Sequence, residues 1–147
     1  MRINGLGGTF VFSNNPTALA QWYTDVLGFT FEGSEEFGAF YQMFFSLNPD
    51  DHDQRWDTTF AVMKAERDFS IPVPDEEPKS MYGDQSYMVN LRTDDLDALV
   101  ADLEAKGITI LKRADESYGK FAWIRDVDGH RIELYQPIRP SADATSV

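Results

Sequence analysis

The stretch Tyr118–Pro137, YGKFAWIRDVDGHRIELYQP, reads as a β-hairpin, and its reading decides the fold. Asp126-Val127-Asp128-Gly129 is turn chemistry: Asp bonds its own backbone two residues on, and Gly takes the positive φ that a short connection requires. The flanking runs alternate with period two. Ala122 and Ile124 sort to one face against Phe121, Trp123 and Arg125, and Ile132 and Leu134 sort against Arg131, Glu133 and Tyr135. One face is aliphatic and suited to lie under a helix. The other mixes aromatics, arginines and a carboxylate, as a ligand-binding concavity does.

The rest of the chain supplies two copies of one pattern. Leu6–Ser13 alternates as a first strand, Asn15 caps a helix with Pro16 at its first position, Leu19, Trp22, Tyr23 and Val26 fall at helical spacing, and Gly28 stops it. Phe29–Gly33, Ala39–Leu47 and Thr58–Lys64 read as three further strands. The pattern restarts with a strand at Ser86–Thr93, Asp94 as helix cap, Leu96, Leu99, Val100 and Leu103 on one helix face, Gly107 as stop and a strand from Ile108. Ala18-Leu19 matches Ala98-Leu99, and Gly28-Phe29-Thr30-Phe31 matches Gly107-Ile108-Thr109-Ile110, with one residue lost in the helix between. The expected fold is α+β: two βαβββ modules forming a curled mixed sheet around a groove, helices on the outer face. Module one spans residues 1–64, a linker 65–85, module two 86–137 and a flexible tail 138–147.

Two stretches between these elements are read as irregular. Asn48–Asp57, NPDDHDQRWD, is expected to be a solvated acidic loop. Its Asp spacing lacks the Gly at the sixth position and the closing Glu of an EF-hand, and His52 is read as a surface residue. Residues 65–85 hold Pro72, Pro74 and Pro78, which cannot donate to a ladder, and Asp75-Glu76-Glu77, expected to stay unburied.

The hairpin's DxDGHxIEL pattern resembles the last two strands of the vicinal oxygen chelate superfamily, which includes glyoxalase I, bleomycin-resistance proteins, fosfomycin-resistance enzymes and extradiol dioxygenases. Ala20–Phe29, AQWYTDVLGF, is similar to the helix end that commonly reads FYxxxLGF there. The resemblance covers residues 6–137 and implies the paired-module fold, but a scaffold shared by many chemistries does not fix a reaction. It also implies that Glu133 matches a metal ligand of the enzymes. The other ligand positions fall on Gly8, Met88 and near Ala61, which offer no donor for a hard divalent ion, and His130 alternates away from Glu133.

The expected site therefore has Glu133 as its one catalytic candidate, a base or hydrogen-bond acceptor. Met88, Asn90, Arg92 and Arg131 lie on its face, and Phe10, Phe12, Phe121, Trp123 and Tyr135 serve as apolar walls. A plainer reading pairs Arg92 or Arg131 with Glu133 to neutralise it, and makes the aromatics core. Two functions follow. One is a cofactor-free protein that binds a small organic molecule in an aromatic, acidic groove, in the manner of bleomycin resistance. The other is a metal-assisted glyoxalase-like lyase, isomerase or dioxygenase using Glu133.

Composition narrows the partners. A net charge of −12 over 147 residues without a basic cluster disfavours nucleic acid. The chain has no cysteine, so disulfides and thiolate chemistry are excluded. No apolar run reaches the roughly 20 residues that span a bilayer, and no signal peptide is evident, so no membrane role and a cytoplasmic location are expected. Aromatics make up 14% of residues, more than a small monomer needs to bury, which with the paired modules suggests a homodimer.

Overall fold

The computed structural model describes residues 3–138 and divides between Ile71 and Pro72 into two compact units. The first carries β1 (Gly8–Ser13), α1 (Pro16–Leu27), β2 (Glu32–Ser34), β3 (Ala39–Asn48) and β4 (Asp51–Lys64), with strand order β1-β4-β3-β2. The second carries β5 (Val89–Arg92), α2 (Leu96–Ala105), β6 (Lys112–Glu116), β7 (Gly119–Arg125) and β8 (Arg131–Pro137), with order β5-β8-β7-β6. In each unit the first and last strands pair in parallel and the other pairs are antiparallel, so both are βαβββ modules with one topology. The α+β repeat read from the sequence is the fold observed. The tail from 139 on, read as flexible, lies outside the described residues.

Local chemistry fixes the helices. Asn15 accepts from the Ala18 N–H, Pro16 opens α1, and Gly28 closes it at φ 75°. Gly107 ends α2 at φ 80°, with the Ile108 N–H reaching back to the Leu103 carbonyl. The α2 cap is Asp95 rather than Asp94. Asp95 stands three residues before Ala98, whose N–H it accepts at 3.0 Å, and the helix begins at Leu96.

Leu19, Ala20, Tyr23 and Val26 of α1 are buried, as are Phe60 and Val62 of β4. The Tyr23, Phe29 and Phe60 rings meet with centroids 4.9–5.1 Å apart. In the second unit Leu96, Val100 and Leu103 of α2, and Ala122, Ile124, Ile132 and Leu134 of the β7–β8 hairpin, are buried. Each Leu, Ile or Val among them contributes roughly 1.5–3 kcal/mol when removed from water. Ile132 and Leu134 thus take the aliphatic face, as alternation requires.

The acidic stretch is not a loop. β4 begins at Asp51 and pairs with β3 back to Asn48, leaving a turn at Pro49-Asp50 and a bulge at Leu47/Asn48. β1 reaches only as far as Thr59, so residues 51–57 form a two-stranded arm running past the sheet. Arg55 lies over the Phe45 ring at 3.9 Å and pairs with Asp57 at 3.2 Å. From Arg55 to Asp57 the partners on β3 are Leu47, Ser46 and Phe45, and this cross-strand pairing overrides the weak strand preference of Asp57. His52 is exposed on this arm.

The Asp126–Gly129 turn forms as read. Asp126 accepts from the Asp128 and His130 N–H groups at 2.9 and 3.0 Å, and Gly129 sits at φ 87°. Burial pushes the Asp126 carboxyl up to about 6 from 3.8, against the lowering effect of the His130 N–H. The folded chain then holds this proton more tightly than the unfolded one, so stability falls as pH rises from near 4 through 6. Asp126→Asn keeps the acceptor and removes the charge. Its unfolding free energy, measured by denaturant titration, should therefore gain on wild type as pH rises from 4 to 7, by an amount on the order of 2–3 kcal/mol.

Candidate functional site

Parallel pairing of β5 with β8 sets Asn90 beside Glu133 and Arg92 beside Tyr135, while β7 sets Trp123 beside Glu133 and Phe121 beside Tyr135. These residues occupy the face away from α2. Phe121 stacks on Tyr135 with centroids 5.1 Å apart and on Trp123 at 6.2 Å, both at 17° between planes, and Tyr118 meets Phe121 edge-on. A side chain at Gly119 would collide with the Tyr135 ring at 2.5 Å, so the glycine is what lets this ladder lie flat.

Glu133, 7% exposed, sits beside Trp123 on this face. Its Oε2 accepts from Asn90 Nδ2 at 2.6 Å, and its Oε1 accepts the hydroxyl of Tyr82. Burial, then the bond to Glu133, raises the Tyr82 phenol to about 12, so it remains a protonated donor at any physiological pH. A buried carboxylate is thus satisfied by two neutral donors.

Tyr82 belongs to the segment read as a linker. From Pro72 to Gln85 this segment forms no helix or strand and packs on the second sheet as a strap. Met81 is buried against Phe121 and Trp123, with Met88 and Tyr135 at the margin. Glu77, expected to stay unburied, is half-buried and forks onto Arg125 through bonds of 3.1 and 2.8 Å. Arg131, 1% exposed, binds Asp84 at 2.5 and 3.0 Å and the Met81 carbonyl at 3.1 Å. The Gln85 side chain holds the Arg131 backbone, accepting its N–H at 2.7 Å and donating to its carbonyl at 3.1 Å.

Several expectations change accordingly. Arg131 does not neutralise Glu133; its guanidinium is engaged by the strap, because Asp84 presents both oxygens to its fork. Arg92 is exposed opposite Tyr135 and does not fill that role either, since both Glu133 oxygens are taken by Tyr82 and Asn90. Phe121 and Trp123 form a small core with Met81 instead of open walls. Phe10 and Phe12 lie in the first unit, 57% and 48% exposed on β1, with Ala61 and Met63 opposite them on β4. Tyr82 is the site residue the sequence reading missed. The only local sign of it was an apolar pair, Met81-Tyr82, inside an otherwise acidic and proline-rich run.

The registers also show what became of the metal-ligand positions. Phe10 faces Ala61 in the first module as Asn90 faces Glu133 in the second, so these pairs are equivalent in the repeat. Gly8 admits no side chain: a Cβ there would stand 2.5 Å from the Thr59 carbonyl oxygen. Among the described residues no three His, Cys, Asp or Glu side chains are grouped to hold an ion. The residues present do not fit a divalent metal centre. An open cleft of about 380 Å³ elsewhere on the second unit, lined by Thr93, Lys120, Gln136 and Ile138, has no aromatic wall, and its Lys120 is already paired to Asp97.

Residues 5–134 match the family model for the glyoxalase/bleomycin resistance protein/dioxygenase superfamily. The chain belongs to this superfamily. Comparison with the curated proteins yields no significant match. Among solved structures, the chain is similar to TnmS3, an antibiotic binding protein from Streptomyces sp. CB03234, at 22% identity and TM-score 0.57, covering 94% of this chain and 99% of that one. It is similar to lactoylglutathione lyase from Agrobacterium tumefaciens at 14% identity and TM-score 0.62, covering 92% and 96%. TioX from Micromonospora sp. ML1 follows the same fold at 15% identity and TM-score 0.58, covering 92% and 100%. At these identities the likeness is one of fold. In this superfamily member no helix of the described residues is long and apolar enough to cross a membrane.

Proposed function

We propose that this superfamily member binds a small organic molecule on the Glu133 face of its second module, without the divalent metal that its enzymatic relatives use. The observation that carries the reading is the pairing of Glu133 with Tyr82 and Asn90 beside the ladder of Trp123, Phe121 and Tyr135. With Phe121 and Trp123 buried beneath, such a face meets a flat ligand at the exposed Tyr82 and the half-buried Tyr135, and offers it one carboxylate as hydrogen-bond acceptor. The likeness to an antibiotic binding protein agrees with it. The retained Glu133, and the likeness to a lyase, favour the second reading, a metal-assisted glyoxalase-like lyase, isomerase or dioxygenase.

Thermal unfolding with added zinc, nickel or manganese separates the two. A ligand that binds only the folded state raises the melting temperature by mass action. The expected result is no rise with any of the three ions. A rise that disappears in Glu133→Gln would install the metal-dependent reading instead.

A homodimer belongs to this proposal. Phe10, Phe12, Met43, Phe45 and Leu47 of the first module leave one sheet face apolar and exposed, more than a soluble monomer ordinarily presents. Light scattering at micromolar concentration should give twice the chain mass of 16.7 kDa. A single-chain mass would remove the dimer from the proposal.

A further inference from the structure

Tyr82 stands in a position that a bound molecule would occupy. It enters from the strap and donates its hydroxyl to Glu133 across 51 residues of sequence. Its ring meets Trp123 edge-on, with centroids 6.0 Å apart and planes at 89°. The strap backbone beneath it is held by other groups: the Met81 carbonyl and the Asp84 carboxylate on Arg131, and Glu77 on Arg125. Tyr82 as a whole residue is 58% exposed, and its side chain is held by that hydrogen bond and that edge contact. It can leave by side-chain rotation while the strap stays anchored, and its departure uncovers a carboxylate oxygen and the edge of an indole.

We propose that Tyr82 is a built-in occupant of the binding face, displaced by a ligand that reproduces what it offers: a neutral, aromatic hydrogen-bond donor. This rests on the reading that the Glu133 face binds small molecules and names the chemistry it selects. Asn90 already serves one oxygen of Glu133, so the vacated oxygen calls for a donor and rejects a second acceptor. An anion would meet Glu133 at close range in a chain of net charge −12. An apolar ring without a donor would leave the carboxylate oxygen buried and unpaired, the costlier outcome. A flat ring that carries an O–H or N–H meets both conditions.

The test uses 2-naphthol as the donor, naphthalene as the ring without a donor and 2-naphthoate as the anion, with binding followed by titration and by the amide NMR signals of Asn90 and Glu133. A site whose competent form is rare binds with its affinity reduced by that fraction, so Tyr82→Ala should bind 2-naphthol at least about ten-fold more tightly than wild type. Tyr82→Phe, which keeps the ring and frees the carboxylate, should also gain and guards against a folding artefact. Adding Glu133→Gln to Tyr82→Ala should erase most of the gain, and naphthalene and 2-naphthoate should bind more weakly than 2-naphthol throughout. Binding at Asn90 and Glu133 that is equal in wild type and both Tyr82 variants would overturn the built-in occupant and leave the binding reading standing. A preference for naphthalene or 2-naphthoate would overturn the ligand class. Unmoved Asn90 and Glu133 signals with every probe in every variant would overturn the binding reading, and this inference with it.

Discussion

Arg131→Ala is expected to cost about 3–5 kcal/mol of stability, the range for replacing a large side chain by a small one in a packed core. Arg131 is the largest fully buried side chain described, and it holds three parts of the strap at once: the Met81 carbonyl, the Asp84 carboxylate and, at 3.9 Å, Glu77. Its loss leaves a void, frees Asp84 and removes the ligature that keeps Met81 on Phe121 and Trp123. Arg131→Met gives the decisive contrast. It keeps the aliphatic stem, and the freed Asp84, with nearly half its side chain exposed, can turn to water. The Arg131 Nε has no acceptor, so part of the guanidinium's desolvation goes uncompensated in the native state. Arg131→Met should accordingly lose less than about 2 kcal/mol. Denaturant titration measures both. Equal losses in the two variants would show that charge, and not volume, holds the strap.

Trp123→Ala should cost about 3–5 kcal/mol, as large-to-small replacement in a packed core does. Trp123 is 4% exposed, stacked on Phe121 and covered by Met81, so no neighbour is free to fill the space. Trp123→Phe should cost under about 1.5 kcal/mol, because the indole N–H is buried without an acceptor and its removal forfeits no hydrogen bond. Thermal melts of both variants check this. A loss in Trp123→Phe as large as that in Trp123→Ala would mean the indole nitrogen has a partner that matters to the fold.

How far the sequence could be read follows from the range of the forces involved. The ends of α1, the stop at Gly107 and the Asp126–Gly129 turn were legible because each is decided within four residues by a side-chain acceptor or a positive φ. Face sorting in the β7–β8 hairpin was legible because period two admits only two answers, and burial of Ile132 and Leu134 selects one. The α2 cap slipped by one residue because Asp94 and Asp95 are chemically alike and only the position of Ala98 distinguishes them. The arm was hidden because Asp51, His52, Asp53 and Gln54 have little strand preference, and the ladder that holds them pairs only Asp51 with Asn48 before it resumes at Arg55 and Leu47. The strap was hidden most completely. Glu77, Tyr82, Asp84 and Gln85 find their partners 46 to 51 residues away, and no local pattern announces such pairings.

The arm's composition has a consequence of its own. Beyond Thr59, where β1 stops, no strand among the described residues pairs with the outer edge of β4, which runs beside the exposed Phe44 and Phe45. An apolar strand in that position would be a template for edge-to-edge growth and for fibrous aggregates. Asp51, Asp53, Arg55 and Asp57 put charge along the segment and make each intruding strand desolvate and oppose it. The run of acids that imitates a loop thus places charge where an apolar edge would invite polymerisation.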